Sequence, residues 1–383
     1  MTVTETAKEG TALALAKELR SAGDLSAECA SAFETVRREQ FVPDKIWVRP
    51  DYAEPHVPVD RVNEPEKWLS YVYSDRVLVT QFDDGATKWP DVGRRPTSSA
   101  SMPSVVAGML TSLAPESDDS VLEIGTGTGF NAALLAEMVG GDGNVTTIEI
   151  EEKIASAARR NLDRAGCRWV NVDVADASTK VFDDKFDCVI ATAGVHVGQL
   201  PYSWVACTRP GGTILAPMRA DLASGPLVKF EVGDDGTARG RAVRMRVGFM
   251  ELRSHRVRSL PLAELPSVNA GFISNSRINP FDALSNEDSR WALAVALPSC
   301  RYEIEEVTQY RRHEIAWLMD PMSESWACVA PCSEDMYTVR QFGPRRLWDE
   351  AVRALDWWKR KGEPPIEAWT WTVDNGRQTV TLR

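Results

Sequence analysis

The sequence predicts an α/β fold: a Rossmann-like, parallel-sheet domain that binds a nucleotide, followed by a smaller α+β domain. Three observations predict it. The apolar strand from Val121 to Ile124 breaks into alternating glycines and continues as an alanine-rich helix; a second strand, 144–149, ends on an acid; and residues 256–383 remain after such a domain should close near residue 255. We therefore divide the chain into domains at 1–255 and 256–383.

The loop after the first strand alternates glycine with threonine. Its residues are Gly125, Thr126, Gly127, Thr128 and Gly129. Glycines let the chain turn tightly and let its backbone approach a ligand, which side chains would prevent. The pattern Gly-x-Gly-x-Gly lacks the longer Gly-x-Gly-x-x-Gly spacing that accompanies a pyrophosphate, and this argues against a nicotinamide cofactor.

Glu149 ends the second strand. In an α/β sheet, an acid at this point accepts hydrogen bonds from the ribose hydroxyls of a nucleotide that lies across the edge of the sheet. The loop and the acid together favour a nucleotide site. The alternative is an α/β domain with a glycine-rich turn and no nucleotide.

The composition describes a globular protein with an acidic surface: 43% hydrophobic and 26% charged residues, with a formal net charge of -11. Such a surface argues against nucleic acid as a partner, because it cannot displace the counterions of a phosphate backbone. No apolar run is long enough for a transmembrane helix, and residues 1–10 lack the apolar core of a secretory signal. We therefore expect a cytoplasmic protein with no membrane partner.

Seven cysteines are scattered along the chain, and only Cys328 and Cys332 lie close together. This spacing matches neither a disulfide framework nor a paired metal motif, and the four histidines lie far apart. We expect no metal site. A metal or redox role for the cysteine pair is the less favoured alternative to simple packing.

Glu123 and the loop form Glu-x-Gly-x-Gly-x-Gly, which resembles motif I of the class I methyltransferases that bind S-adenosylmethionine. The resemblance implies S-adenosylmethionine as the cofactor, held by Glu123, the loop and Glu149. In the isoaspartyl methyltransferases, which share this motif, a Gly-Asp-Gly stretch carries the acid that contacts the adenine. Here the stretch is Ala175-Asp176-Ala177, which keeps the acid and loses the flexible neighbours. The resemblance assigns Asp176 and Ala177 to the adenine.

The chain before the glycine loop is predicted to be helical over residues 8–48 and rich in loops over 49–96, with short strands at 70–73 and 76–80. The segment 33–43, which ends in Phe-Val-Pro, is similar to the N-terminal signature of the protein-L-isoaspartate O-methyltransferases. Residues 73–79 are similar to the part of that family that precedes its substrate loop.

A cluster of hydroxyl side chains at 97–101 precedes a helix that follows Pro103. Helix N-termini favour anions, whereas N-capping would need only one of these hydroxyls. In the isoaspartyl family, the matching stretch has a serine two residues before a proline, and that serine contacts the substrate carboxylate. The residues that the resemblance places at the substrate are Ser101, Ser99, Val79 and Thr80.

Beyond the loop, the patterns predict a helix at 154–165, strands at 186–192 and 208–217, and a hairpin at 227–243. For the C-terminal domain we expect strands at 291–296, 325–330 and 336–340, a helix opened by Pro344, and a hairpin at 369–382. His196 follows the 186–192 strand, and we favour a structural role for it over a catalytic one. The C-terminal domain shows no catalytic constellation, and we interpret it as a peptide-recognition domain.

Methyl transfer to a carboxylate needs no general base, because an aspartate side chain is already ionised at neutral pH. Three hypotheses follow. The favoured one is a branch of the isoaspartyl family that accompanies ATP-grasp or lanthipeptide maturation systems; it would esterify an ordinary Asp in a ribosomally made precursor peptide, leading to an aspartimide and from it to isoaspartate. The alternative is a protein-L-isoaspartate O-methyltransferase that repairs damaged proteins, against which the C-terminal domain counts. A silent peptide-binding subunit is disfavoured because the loop and Glu149 are intact.

Overall fold

The computed structural model describes residues 11–51, 53–223, 225–256, 271–307 and 313–382. Its helices are α1 (Ala12–Ala22), α2 (Ala27–Thr35), α3 (Pro65–Val72), α4 (Pro103–Leu113), α5 (Phe130–Val139), α6 (Glu152–Arg164), α7 (Tyr202–Cys207), α8 (Pro280–Ser285), α9 (Glu287–Ala296) and α10 (Leu347–Arg360). None of these helices is long and apolar enough to span a membrane.

The strands form three sheets. They are β1 (Lys45–Val48), β2 (Val57–Asp60), β3 (Leu78–Phe82), β4 (Pro96–Ala100), β5 (Ser120–Ile124), β6 (Asn144–Glu149), β7 (Asn171–Val174), β8 (Phe186–Ala191), β9 (Val195–His196), β10 (Thr208–Arg219), β11 (Pro226–Val232), β12 (Ala238–Arg246), β13 (Phe272–Ser276), β14 (Arg301–Val307), β15 (His313–Asp320), β16 (Ser325–Ser333), β17 (Met336–Phe342), β18 (Trp369–Val373) and β19 (Gln378–Leu382).

The central sheet has the order β19-β18-β12-β11-β10-β8-β5-β6-β7, with β9 paired to β10. Strands β10, β8, β5, β6 and β7 are parallel, as is β9 to β10, and the neighbours from β10 to β19 are antiparallel. The chain leaves β5 toward β6 on one side and returns to β8 on the other. The carboxyl end of β5 is therefore the switch point at which open α/β sheets bind ligands.

Strand β5 and helix α5 form the buried centre of this sheet. Val121 and Leu122 have no exposed surface, and neither do the α5 residues Leu134 and Leu135. Helix α5 is apolar over most of its circumference, apart from Asn131 and the exposed Glu137, and such a helix must be covered on more than one side. Helices α1 and α2 supply the second cover, and Phe33 of α2 meets Phe130 edge to face at a centroid distance of 6.2 Å.

A small antiparallel sheet, ordered β2-β1-β3-β4, lies beside the carboxyl end of β5. Three predictions in this region are wrong. Residues 45–48, the end of the stretch predicted to be helical, form strand β1. Residues 70–73, expected as a strand, lie in and just after helix α3, which begins with Pro65 at a position where proline is tolerated and buries Trp68 and Val72. The hydroxyl cluster lies largely on β4 and not at a helix front, since α4 starts at Pro103 with no side-chain cap.

The C-terminal part contains a five-stranded antiparallel sheet, β13-β17-β16-β15-β14. The strand expected at 291–296 is instead helix α9. Asn286 caps this helix, its side chain accepting a hydrogen bond from the Ser289 amide, and Glu287 and Asp288 stand in the first turn. A short apolar run fits a buried helix as well as a strand, and the cap and first-turn acids favour the helix locally, while packing against the core completes the choice.

The predicted hairpin at 369–382 is present, but it belongs to the central sheet. Strand β18 pairs with β12, with Ala238 opposite Val373 and Arg241 opposite Thr370. Its side chains Trp369 and Trp371 are buried in the core that also holds Val189 and Ile214 of the central sheet. Residues 369–382 thus extend the fold of the first part of the chain.

Candidate functional site

A cavity of about 330 Å³ opens at the carboxyl ends of β5 and β6. The glycine loop and Glu149 form one side of it. The end of β4 and the residues before α4 form a second side, and the segment 248–253 forms a third. The cavity therefore brings together the residues that the sequence assigned separately to a cofactor and to a substrate.

The glycines of the loop have left-handed backbone conformations that favour glycine: φ is +99° at Gly125, +53° at Gly127 and +87° at Gly129. A Cβ atom on Gly125 would lie 2.8 Å from Oγ1 of Thr192, which is closer than real contacts allow. Thr192 in turn donates a hydrogen bond to the Gly125 carbonyl at 2.6 Å. The loop is held in place and presents bare backbone to the cavity.

Glu149 is 8% exposed and lies at the wall of the cavity. Its Oε2 accepts a hydrogen bond from the Gly127 amide at 3.0 Å, and its Oε1 accepts one from the Glu151 amide at 3.2 Å. Burial raises the pKa of this carboxyl above its ordinary value. The two amides fix the orientation of the carboxylate, and each oxygen keeps a lone pair for a further donor.

Glu123 has no exposed surface and lies beneath the loop. Asn131 donates a hydrogen bond to its Oε1 at 2.8 Å, and the Thr147 hydroxyl donates one to its Oε2 at 2.6 Å. Burial raises its pKa to about 7. This geometry supports the loop from below, so we assign Glu123 a positioning role.

Asp176 and Ala177 line the far end of the cavity. Oδ1 of Asp176 accepts hydrogen bonds from the amide and the hydroxyl of Ser178, at 2.9 and 2.7 Å. The carbonyl of Ala177 accepts a hydrogen bond from the buried indole of Trp204 at 2.8 Å. These contacts fix the turn in the absence of the flanking glycines.

The four residues assigned to the substrate do not all reach this cavity. Ser99 and Ser101 line it. Thr80 lies in a neighbouring cavity, where its hydroxyl donates to the Ser98 hydroxyl at 3.0 Å. Val79 is 3% exposed and packs against Trp47 and Phe82. Side chains of successive strand residues point to opposite faces, so Val79 and Thr80 could not share one site.

Arg38 is a residue that the sequence analysis missed. Its side chain is fully buried, and its guanidinium donates hydrogen bonds to four backbone carbonyls, those of Val72, Ser74, Arg76 and Ser101. Burial lowers its pKa to about 9. Arg38 ties the start of the chain to the substrate side of the cavity. Segment 33–43 holds four charged residues, Glu34, Arg37, Arg38 and Glu39, so nothing local in the sequence singles out Arg38.

The segment 248–256 closes one side of the cavity. The Gly194 amide donates a hydrogen bond to the Met250 carbonyl at 2.7 Å, and the Leu252 amide donates one to the Gly194 carbonyl at 2.9 Å. Arg253 pairs with Glu151, which follows β6. Backbone bonds and an ion pair thus join this segment to both halves of the parallel sheet.

His196 lies behind this segment, 95% buried, with Nε2 at 4.0 Å from carboxylate oxygens of Asp221 and Glu251. One histidine and two carboxylates could hold a metal ion by distance. However, Arg219 lies 3.1 Å from Glu251, and Arg301 lies 3.1 Å from Asp221. These guanidinium groups already balance the carboxylate charge, which disfavours a cation and agrees with a structural role for His196.

The sheet order, the glycine loop at the switch point and the acid that ends β6 define the fold of the class I methyltransferases. The sequence profile described as "Protein-L-isoaspartate(D-aspartate) O-methyltransferase (PCMT)" matches residues 53–256, more than half of the chain. The chain belongs to this family, and the resemblance stated from its motifs is confirmed.

Individual relatives agree. The chain is 34% identical over 156 residues to the protein-L-isoaspartate O-methyltransferase of Thermotoga maritima, which covers 40% of this chain and 45% of the relative. It is 29% identical over 250 residues to the protein of the same name from Pyrobaculum islandicum, which covers 63% of this chain and 99% of the relative. The alignments with the Thermotoga maritima and Pyrococcus horikoshii relatives span about half of those proteins, 45% and 52%.

A solved structure titled protein-L-isoaspartate O-methyltransferase has the same overall fold, with a TM-score of 0.55 at 22% identity. The superposition covers 97% of this chain and 99% of that one. The fold therefore extends through the C-terminal part and does not stop where the family profile ends.

Proposed function

We propose that this protein is an S-adenosylmethionine-dependent carboxyl O-methyltransferase that acts on isoaspartyl residues of proteins or peptides. The observation that carries the proposal is that the glycine loop, Glu149 and Ser101 face one cavity. Family membership supports the isoaspartyl substrate. A cytoplasmic location is part of the same proposal, supported by the free state of all seven cysteines.

The residues present fit the cofactor. Gly125 and Gly127 have no side chains, so the cofactor can approach the loop backbone closely. Glu149 offers carboxylate oxygens to the ribose hydroxyls, and Asp176 offers a carboxylate to the adenine amino group. When bound, S-adenosylmethionine supplies an electrophilic methyl group on a sulfonium. The protein aligns the substrate carboxylate with the methyl group of the cofactor and excludes water from the site.

The reacting carboxylate needs no base, because an aspartyl side chain titrates near 3.9 and is ionised at neutral pH. Ser101 offers a neutral hydroxyl, which orients the carboxylate without holding its charge as tightly as a guanidinium would. Arg38 donates to the Ser101 carbonyl at 2.7 Å, and its other three hydrogen bonds also go to backbone carbonyls, so its charge serves the backbone. The chain thereby keeps the nucleophile reactive.

The second candidate is esterification of an ordinary Asp in a dedicated precursor peptide, with an aspartimide as product. The C-terminal part favours it, since the alignment with the Pyrobaculum islandicum relative includes 99% of that protein and only 63% of this chain. That feature does not separate the candidates, because a solved structure with the isoaspartyl title shares the fold over 97% of this chain. We therefore rank the isoaspartyl substrate first, reversing the order expected from the sequence.

The two candidates are separated by one assay. The protein is incubated with methyl-labelled S-adenosylmethionine and either an isoaspartyl peptide or the same peptide with ordinary Asp, and base-labile methyl esters are counted. We expect label in the isoaspartyl peptide alone. Label in the Asp peptide, with loss of one water from its mass, would favour the second candidate. No label in either peptide, with cofactor binding intact, would contradict the isoaspartyl assignment.

A further inference from the structure

A second cavity of about 670 Å³ lies beside the first and shares Ser98, Gly127, Thr128 and Ile154 with it. It is bounded by the Phe-Val-Pro turn at 41–43 and by helix α6. We call it the α6 groove. Because the two cavities share walls, an extended peptide that places one residue in the first cavity reaches the groove within a few residues, at roughly 3.3–3.6 Å per residue.

One face of α6 lines the groove. The residues of this face are Lys153, Ile154, Ala157, Arg160, Asn161 and Arg164. Their spacing of three or four positions is that of a single helical stripe. Three of the six side chains are cationic and exposed to solvent. Arg160 and Arg164 lie one turn apart and repel each other, which lowers helix stability unless an anion lies across them.

The acidic residues around the groove do not neutralise this stripe. Glu39 pairs with Arg37 at 2.5 Å, and Asp44 lies 3.4 Å from Arg61. Both acids are thus engaged by the other two cations of the groove wall. Among the described residues, none of the three α6 cations has an ion pair, and Arg164 donates instead to the Asn161 amide oxygen.

We propose that the α6 groove binds acidic residues that flank the modified residue of the substrate peptide. The inference rests on the proposed function, since it assumes a peptide that enters the first cavity. The chain has a formal net charge of -11, so most of its surface repels an acidic peptide. An unneutralised cationic stripe beside the reactive cavity gives such a peptide an attractive entry and sets its direction across the site.

The test uses the full-length protein and three fluorescein-labelled isoaspartyl peptides that differ only in flanking residues: glutamate, glutamine or lysine. Binding is followed by fluorescence anisotropy, with no methyl transfer needed. We expect the glutamate peptide to bind about tenfold more tightly than the glutamine peptide, as several exposed ion contacts together allow, and the difference to shrink at high salt.

The variant Lys153→Gln/Arg160→Gln/Arg164→Gln should reduce the glutamate preference to less than about twofold while leaving the affinity for the glutamine peptide unchanged. The matched control is Arg353→Gln/Lys359→Gln/Arg360→Gln, which removes one exposed lysine and two exposed arginines from α10. This control should keep the preference. If the triple α6 variant melts early, Arg160→Gln alone and the salt dependence of the unaltered protein give the same test.

Equal affinity for the three peptides, or a preference that survives the α6 variant, would overturn the proposal. So would a single-stranded RNA of equal charge that competes as well as the glutamate peptide, since the groove would then be a general polyanion surface. A glutamate preference without esterification of any isoaspartyl peptide would instead refute the proposed function and leave the groove assignment intact.

Discussion

Gln378 and Leu200 are joined by two hydrogen bonds. The Leu200 amide donates to Oε1 of Gln378 at 2.9 Å, and Nε2 of Gln378 donates to the Leu200 carbonyl at 2.6 Å. The last strand of the chain is thus fixed to the segment that follows β9, on the parallel part of the central sheet. The end of the chain is therefore part of the central sheet, whereas the sequence analysis assigned it to a separate domain at 256–383.

Trp371→Ala tests this relationship. Trp371 is 2% exposed on β18, and its ring lies 6.0 Å from that of Trp291. We expect the substitution to lower the free energy of unfolding by about 3–5 kcal/mol, as for a buried aromatic replaced by alanine. Denaturant unfolding measures it. Trp357→Ala is the control, because Trp357 is 36% exposed and should lose less. Similar losses in both variants would contradict the buried placement of the hairpin.

Gly125→Ala tests the loop. The φ of +99° lies outside the region that alanine adopts readily, and the added Cβ would meet the Thr192 hydroxyl at 2.8 Å. We expect the affinity for S-adenosylmethionine, measured by calorimetry, to fall more than about tenfold, since strain of this kind costs 1–3 kcal/mol. Gly23→Ala is matched in backbone strain, with φ +82° in open space at the end of α1, and should leave the affinity unchanged. An unaltered affinity in Gly125→Ala would refute the cofactor assignment.

The sequence was sufficient to predict those parts of the site that lie within one continuous strand–turn–helix unit and the strand after it. Alternating glycines and an acid at the end of the next strand predict the loop and Glu149, because both depend on one strand–turn–helix unit. Arg38 and the 248–256 segment were missed, since each acts across the fold: Arg38 meets the Ser101 carbonyl 63 positions away. Such pairings have no local signature.

The wrong element predictions have a similar cause. Trp291 and its neighbours form an apolar run that fits either secondary structure; the Asn286 cap favours the helix locally, and packing against the rest of the core completes the choice. The final hairpin was predicted correctly as a hairpin. Its partner β12 was not, because pairing between strands far apart in sequence depends on the whole sheet.

Glu123 makes stability depend on pH. Its folded pKa of about 7 lies above the ordinary glutamate pKa of 4.5, so the folded state binds its proton more tightly than the unfolded state. This contribution is fully present below about pH 4.5 and is lost as the pH rises to about 7, a change of about 3 kcal/mol. The sign is therefore a loss of stability on going from mildly acidic to neutral pH.

Glu123→Gln should remove that dependence. The glutamine oxygen can accept from Asn131, and its amide can donate to the Thr147 hydroxyl, which can turn toward Thr126 at 2.7 Å. Between pH 4.5 and 8, we expect the free energy of unfolding of the unaltered protein to fall by about 3 kcal/mol relative to that of the variant. Parallel curves from denaturant unfolding at both pH values would show that Glu123 does not titrate in this window. The comparison cancels other groups, such as His255, whose pKa burial lowers to about 4.

Ser101→Ala separates orientation of the substrate from simple packing. Its hydroxyl lines the cavity, and its backbone carbonyl stays bonded to Arg38 in the variant. We expect kcat/KM for the isoaspartyl peptide to fall about tenfold, the worth of one hydrogen bond to a charged group, with cofactor affinity unchanged. Ser104→Ala is the control, since Ser104 lies outside the cavity. Full activity in Ser101→Ala would leave that hydroxyl without a role.

Arg38→Met tests whether the hydrogen bonds of Arg38 hold Ser101 in position. Methionine fills much of the space but leaves the carbonyls of Val72, Ser74, Arg76 and Ser101 without their buried donor. Because an unsatisfied buried polar group costs about 1–3 kcal/mol, we expect the free energy of unfolding to fall by at least about 3 kcal/mol. Where the variant remains folded, kcat/KM should fall as well, since the chain that carries Ser101 loses its anchor, whereas Ser101→Ala should lower activity with little change in stability. Reduced stability with full activity would show that Arg38 holds the fold and has no influence on the position of Ser101.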